Sequence, residues 1–275
     1  MNLKLYWQKY IGWLLCFWIG WGLIFKLHWL ILVIGLFGWV LLLWATAPGI
    51  FWSYLALFAV YSPKNELFLK KALTYKPLVV GPYVRQGLNM AKQKNWPATI
   101  ALFEQAAQLP QTKLKPQLRI FLAVAYQRAE DYKRSAQLLE ELVGQGTVTM
   151  ETYFNLAVSY FMQGDLPTAL SAAQKARALN LQATGPVLIL GRIHFTQQDF
   201  QAAKNDYEWA IQHIKWPVES LYWLGRAELE LNETNAAVSH LKLAVERITE
   251  DPVMADISVT EAQGWLDQAL KRQTD

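Results

Sequence analysis

The side chains best suited to moving a proton or holding a metal are four histidines, His28, His194, His213 and His240. None has a second ligand at the four-residue spacing that sets two metal-binding imidazoles on one helix face, so structural histidines are the expectation. The single cysteine, Cys16, lies inside an apolar run, which excludes a disulfide framework and a Cys-based zinc site. The chain has no phosphate-binding glycine loop and no Gly-x-Ser-x-Gly nucleophile turn. Asn232-Glu233-Thr234 fits a glycosylation sequon, a triplet common by chance. The chain therefore reads as a non-enzyme, with no catalytic, cofactor-binding or metal-binding residue and no cofactor.

The elements that carry these residues divide sharply by composition. Residues 1–61 hold Lys4, Lys9 and Lys26 as their only charges, and 46 of the 61 are hydrophobic. Residues 62–275 hold the other 23 basic residues and all 22 acids, so the net +4 belongs mostly to the apolar segment and does not point to nucleic acid. A membrane-crossing helix needs about 20 apolar residues. Residues 5–25 supply one span and residues 29–47, uncharged throughout, a second. Pro48-Gly49 ends that run, and residues 50–61 are too few for a third crossing, so they read as an interfacial or re-entrant helix.

Eight of the thirteen tryptophans fall in this anchor. Trp7, Trp29, Trp44 and Trp52 suit the headgroup level near the span ends, whereas Trp13, Trp18, Trp21 and Trp39 fall mid-span and call for a neighbouring helix or a partner. Lys4 and Lys9 precede the hairpin, and Lys64, Lys70, Lys71 and Lys76 follow it against Glu66 alone. The positive-inside rule then puts both ends in the cytoplasm, with the last four lysines expected at the membrane surface. Residues 62–119 carry a net +8 and residues 120–275 a net −7, which sets the basic end beside the anionic leaflet.

Beyond the anchor the sequence repeats. Units start near Val80, Pro116, Met150, Thr184 and Val218, spaced 36, 34, 34 and 34 residues. One reads Tyr153, Leu156, Ala157, Tyr160, Gly164, Asp165, Ala169, Ala173, Ala176; the next has Leu190, Gly191, Asp199, Phe200, Ala203, Tyr207, Ala210. The fifth has Leu224, Gly225, Ala237, Leu241 and Ala244. Apolar residues recur at three- and four-residue spacing, which is helical periodicity. A helix pair of this size cannot bury its apolar face alone, so neighbours must stack. This pattern resembles the tetratricopeptide repeat (TPR) family, with Thr99 and Ser135 standing where that family prefers Ala.

The resemblance implies an all-α fold: a transmembrane hairpin, a connecting half-repeat helix at 62–79, and repeats at 80–115, 116–149, 150–183, 184–217 and 218–251. A capping helix follows within 252–275. It also implies a concave groove lined by the first helix of each repeat. Its fifth positions here are Val84, Ile120, Phe154, Leu188 and Tyr222, and its ninth are Leu88, Val124, Val158, Arg192 and Arg226. Its twelfth positions give Gln127, Phe161, Phe195 and Leu229, and its sixth Asn155 and Trp223. Only Asn155 matches the lysine/asparagine clamp of chaperone-binding members.

An apolar, aromatic groove suits a peptide or helical segment of a partner protein. Arg192 and Arg226 suit an acidic side chain or terminus, or else pair internally with Glu219, Glu228 or Glu230. The expected function is a membrane-anchored scaffold that recruits, assembles or stabilises a membrane complex, with the bilayer and a protein as partners, no nucleic acid, and self-association left open. The alternative is a structural subunit whose Trp-rich hairpin makes the main contacts. The layout is similar to small TPR proteins of cyanobacteria and plastids that help assemble photosystem complexes. A bacterial cytoplasmic membrane or a thylakoid is the expected location.

Overall fold

The computed structural model describes residues 80–109, 114–251 and 257–274, with isolated positions before residue 80. Apart from those positions, the expected hairpin (5–25, 29–47), the 50–61 segment and the connecting helix lie outside the described residues, as do Lys64, Lys70 and Lys76. Lys71 is described and exposed. Among the described residues there are eleven helices and no strand, and no helix is long and apolar enough to cross a membrane. The chain forms two compact units, residues 1–113 and 114–275.

In the first unit α1 (Val80–Lys92) packs on α2 (Trp96–Ala107). The second unit runs α3 (Pro116–Arg128), α4 (Tyr132–Gly144), α5 (Met150–Met162), α6 (Leu166–Leu179), α7 (Thr184–Thr196) and α8 (Phe200–His213). It continues with α9 (Val218–Glu230), α10 (Thr234–Glu250) and α11 (Val259–Thr274). Each helix of this unit packs on the next, and the odd-numbered helices α3, α5, α7, α9 and α11 also touch in succession, whereas the even-numbered helices make no comparable contact with one another. The stack therefore curves with its odd helices on the inner side.

Local chemistry starts three of the second helices at a repeated place. The side chains of Asp131, Asp165 and Asp199 accept from the backbone N–H groups of Arg134, Thr168 and Ala202, capping α4, α6 and α8. Such a cap contributes about 1 kcal/mol by giving an orphan first-turn N–H a partner. The residue just before each cap turns the chain through the left-handed region: Glu130 (φ 62°), Gly164 (φ 83°) and Gln198 (φ 64°), with Asn232 (φ 61°) in the next turn. Only one of these four is the glycine that such a φ favours. The turn is thus imposed by the packing of the helices it joins.

That packing depends on matched sizes where paired helices cross. A Cβ added to Gly191 would stand 2.8 Å from Cζ of the fully buried Tyr207, and one on Gly87 2.6 Å from Cε2 of Phe103. Where the small position is Ala157, the residue facing its partner helix falls to Ala173, and both are fully buried. Thr99 and Ser135, the departures from alanine, are also fully buried. Their hydroxyls are satisfied: Thr99 Oγ1 donates to the Asn95 carbonyl at 2.8 Å, and Ser135 Oγ accepts from Ser159 Oγ at 2.9 Å. A buried hydroxyl is tolerated on that condition.

Candidate protein-binding groove

Because α3, α5, α7 and α9 lie on the inner side, their exposed edges define a groove in the second unit. Ile120, Val124, Phe154, Val158, Phe161, Leu188 and Phe195 are half-buried on these helices, packed at one edge and open at another. Phe154 lies over the start of α7, where Gly185 leaves room: a Cβ there would meet the ring at 3.3 Å. Gln127 bridges helices, its Nε2 donating to the Asn155 carbonyl at 2.7 Å and to Ser159 Oγ at 2.9 Å. Asn155 Nδ2 donates to the Glu151 carbonyl at 2.7 Å, within its own helix. In the first unit, Val84 is half-buried and Leu88 is exposed on α1.

Two of the residues placed in the groove by sequence are interior instead. Tyr222 and Leu229 are fully buried. The cause is α11, which stacks on α9 as a further odd helix: Tyr222 Oη donates to Glu261 at 2.6 Å, and Arg272 Nη1 donates to the Leu229 carbonyl at 3.0 Å. Burial, reinforced by the Glu261 carboxylate, pushes the Tyr222 phenol up to about 12. The phenol therefore stays protonated and acts as a hydrogen-bond link.

Where α7 and α9 meet, the groove holds a stack of guanidiniums and rings. Arg192 Cζ lies 5.1 Å from the Phe161 ring centroid and 5.8 Å from that of Trp223. Arg226 Cζ lies 4.4 Å from Trp223, 4.2 Å from Trp265 and 5.0 Å from Phe195. Phe195 meets Trp223 edge-on, with centroids 5.1 Å apart. Each cation–ring contact contributes about 0.5–1 kcal/mol where solvent reaches it and about 2 kcal/mol where it does not. Sequence spacing alone did not bring in Trp265, which comes from α11; an aromatic residue on a helix expected to cap the stack was the available signal.

Among the described residues the arginines have no internal acid: no carboxylate lies within ion-pair distance of either guanidinium, and Glu228 instead bonds His240 Nδ1 at 2.8 Å. Arg226 Nη1 donates to Tyr222 Oη at 3.3 Å, while its Nε is buried with no acceptor among the described residues. The other described histidines bond within the fold: His194 Nδ1 bonds Asp206 at 2.8 Å, and His213 bonds the Trp209 carbonyl at 2.7 Å, while His28 lies outside the described residues. Among the described residues no cluster of three His, Cys, Asp or Glu side chains could hold a metal ion.

The family model described as "Tetratricopeptide repeat" matches residues 121–183 and 189–252. No curated protein sequence matches the chain at a significant level. Among solved structures, the chain is similar to the MamA protein at 18% identity, covering 65% of this chain and 97% of that one, with a TM-score of 0.53. It is similar to a thermophilic TPR protein of Thermus thermophilus, TTC0263, at 18% identity, covering 70% and 100%, with a TM-score of 0.54. It is also similar to YrrB, a TPR protein with an unusual peptide-binding site, at 15% identity, covering 74% and 97%, with a TM-score of 0.52. At these identities the likeness concerns the fold. The two matched segments, the all-helical solenoid and these neighbours together support the tetratricopeptide-repeat family for this chain.

Proposed function

We propose that the protein is a membrane-anchored scaffold that holds a segment of another protein in the groove of α3, α5, α7 and α9, and so recruits, assembles or stabilises a membrane-associated complex. The observation that carries the reading is the pair Arg192 and Arg226, stacked on aromatic rings with no carboxylate partner among the described residues. Held by its faces, Arg192 keeps its N–H edges for a ligand and Arg226, which gives one N–H to Tyr222, keeps part of its own; a carboxylate matches such a planar set of donors. The apolar surround of Val124, Val158 and Leu188 supplies the rest of a segment-binding surface.

The anchoring half of the proposal rests on residues 1–61, with three charges and two apolar runs of crossing length. The bilayer is then the second partner, and the positive-inside rule sets the repeats in the cytoplasm of a bacterium or on the equivalent side of a thylakoid. Such a scaffold carries out no chemistry itself. The neighbour YrrB, described by its peptide-binding site, is in keeping with a ligand of the same class.

The test is capture of the intact protein from membranes in mild detergent, beside Arg192→Glu/Arg226→Glu and the milder Arg192→Gln/Arg226→Gln. A specific co-purifying protein that is lost from both folded variants supports the groove. The same protein retained by both contradicts it and moves attention to the Trp-rich segment.

A further inference from the structure

The second unit has two edges of unlike chemistry. Its helices α3 to α10 are joined by links of three to five residues, which reverse the chain each time. The links within helix pairs therefore gather on one edge, and the links between pairs on the other. The within-pair links hold Glu130-Asp131, Gly164-Asp165, Gln198-Asp199 and Asn232-Glu233, five acids and no base, of which Arg134 and Lys204 offset two. The between-pair links, residues 145–149, 180–183 and 214–217, hold no acid and one base, Lys215. We infer that this second edge rests on an anionic bilayer, with Leu179 and Leu181 entering the interface. The inference goes beyond the groove and rests only on the anchoring reading.

The side chains on that edge have the make-up of an interfacial surface. Leu181 is 65% exposed, the most of any large apolar side chain among the described residues, and Leu179 (47%) and Val148 (49%) share the edge. A single exposed leucine is ordinary on a folded surface. Here the 34-residue repeat sets Leu179 and Leu181 in register with His213 and Lys215 of the next link, so apolar and basic residues adjoin along one line. Trp209 stacks on His213 with ring centroids 3.9 Å apart, and the half-buried Trp216 follows Lys215. Tryptophan favours the headgroup level, leucine the acyl boundary beneath it, and lysine extends its charge back to the phosphates.

The charge on this edge is available to a ligand. Lys175, near the end of α6, lies with its Nζ 5.5 Å from the ring of Tyr153 at the start of α5, and so belongs to the same edge. Neither Lys175 nor Lys215 is in an ion pair among the described residues. Arg177 is committed, since Asp206 accepts from its Nη1 at 3.3 Å and its Cζ lies 5.8 Å from the Trp209 ring. An anionic leaflet attracts the unpaired lysines and repels the acid-capped edge, so both effects favour one orientation of the unit. A protein partner would need acids matched in position to two lysines set around leucines. A bilayer supplies an apolar layer and anionic headgroups together, with no shape to match.

The experiment uses the full-length protein carrying Cys16→Ala, reconstituted into liposomes of phosphatidylcholine alone or with phosphatidylglycerol added. An environment-sensitive NBD label is attached at Leu181→Cys or, on the opposite edge, at Gln198→Cys, where the native side chain is exposed. In the anionic liposomes the label at 181 is expected to emit at shorter wavelength and to be quenched by spin-labelled lipid, and the label at 198 to do neither. Lys175→Gln/Lys215→Gln is expected to abolish the shift at 181. Equal responses at 181 and 198, a shift of the same size in uncharged liposomes, or one that survives the double lysine variant overturns the contact. A shift that appears only when a cytoplasmic extract is added assigns the edge to a protein and overturns it too. If the label at 181 stays in water while the protein floats with the liposomes, the contact fails and the anchoring stands. If the protein does not float with them at all, the anchoring reading fails and this contact fails with it.

Discussion

His240 occupies in its repeat the place that Asp206 occupies one repeat earlier. Both stand on the second helix of a pair and both reach back twelve residues to the first, Asp206 to His194 and His240 to Glu228, each at 2.8 Å. The histidine and carboxylate have exchanged helices while the bridge has kept its geometry. The acids are the more buried members: the Glu228 side chain is 2% exposed and that of Asp206 9%. A carboxylate held that deeply requires a partner, and the histidine meets the requirement best when it is charged.

This gives a direction for pH. The hydrogen bond to Asp206 raises His194 above its ordinary value, with burial opposing it, and Asp199 and Arg177 act on it with opposite signs. The hydrogen bond to Glu228 raises His240 likewise, against burial, with Glu208 and Lys204 nearby. A histidine raised on folding stabilises the fold fully below its unfolded value of about 6.5, and that contribution is lost as pH rises through the folded value. Thermal unfolding of the full-length protein is expected at higher temperature near pH 6 than near pH 8. His194→Gln/His240→Gln should flatten the difference, and a melting temperature that rises from pH 6 to pH 8 in the unmodified protein would contradict the assignment.

The contact of Gly191 with Tyr207 makes a second expectation. Gly191→Ala puts a Cβ 2.8 Å from a fully buried ring, between two helices that cannot part without disturbing their neighbours. Overpacking of this kind costs about 1–3 kcal/mol. Gly264→Ala is the control, since a Cβ there meets nothing within 4 Å. Urea unfolding should show the loss at position 191 and not at 264; similar effects at both would mean that close approach is not the reason for glycine.

The left-handed turn residues give a third. Gln198, with φ 64°, has an exposed side chain, so glycine there forfeits little packing. A non-glycine residue loses about 1–2 kcal/mol by sitting there, offset in part by the freedom glycine has when unfolded. Gln198→Gly is expected to stabilise by about 0.5–1 kcal/mol, a gain readable as a higher urea midpoint. Gln163→Gly, one residue before Gly164 and outside the left-handed region at φ −85°, is expected to destabilise, since Gln163 Nε2 also donates to the Tyr132 carbonyl at 3.2 Å. A lower midpoint for both variants would mean that the left-handed turn carries no strain at position 198.

Much of the fold was legible because its small residues are spaced by the geometry of crossing helices. Gly191 and Gly225 stand 34 residues apart, as do Asp165 and Asp199, and each pair performs one physical task twice. Arg192 and Arg226 were legible for the same reason. Tyr222 and Leu229 were misplaced because α11 covers them, and α11 follows a longer connection that breaks the 34-residue register. Trp265 was missed on the same ground. The two histidine bridges were missed because a search for four-residue spacing looks along one helix, whereas these pairs span a turn and join two.

The most direct test of the central claim, that the inner side of the stack holds a partner protein, is photo-crosslinking in native membranes. A photoreactive residue replaces either Val158, half-buried on the inner helix α5, or Gln137, exposed on the outer helix α4. A discrete crosslinked protein is expected from position 158 and none from 137. The same product from 137 alone, or none from 158 while a partner still co-purifies, would place the contact elsewhere and contradict the groove as the working surface.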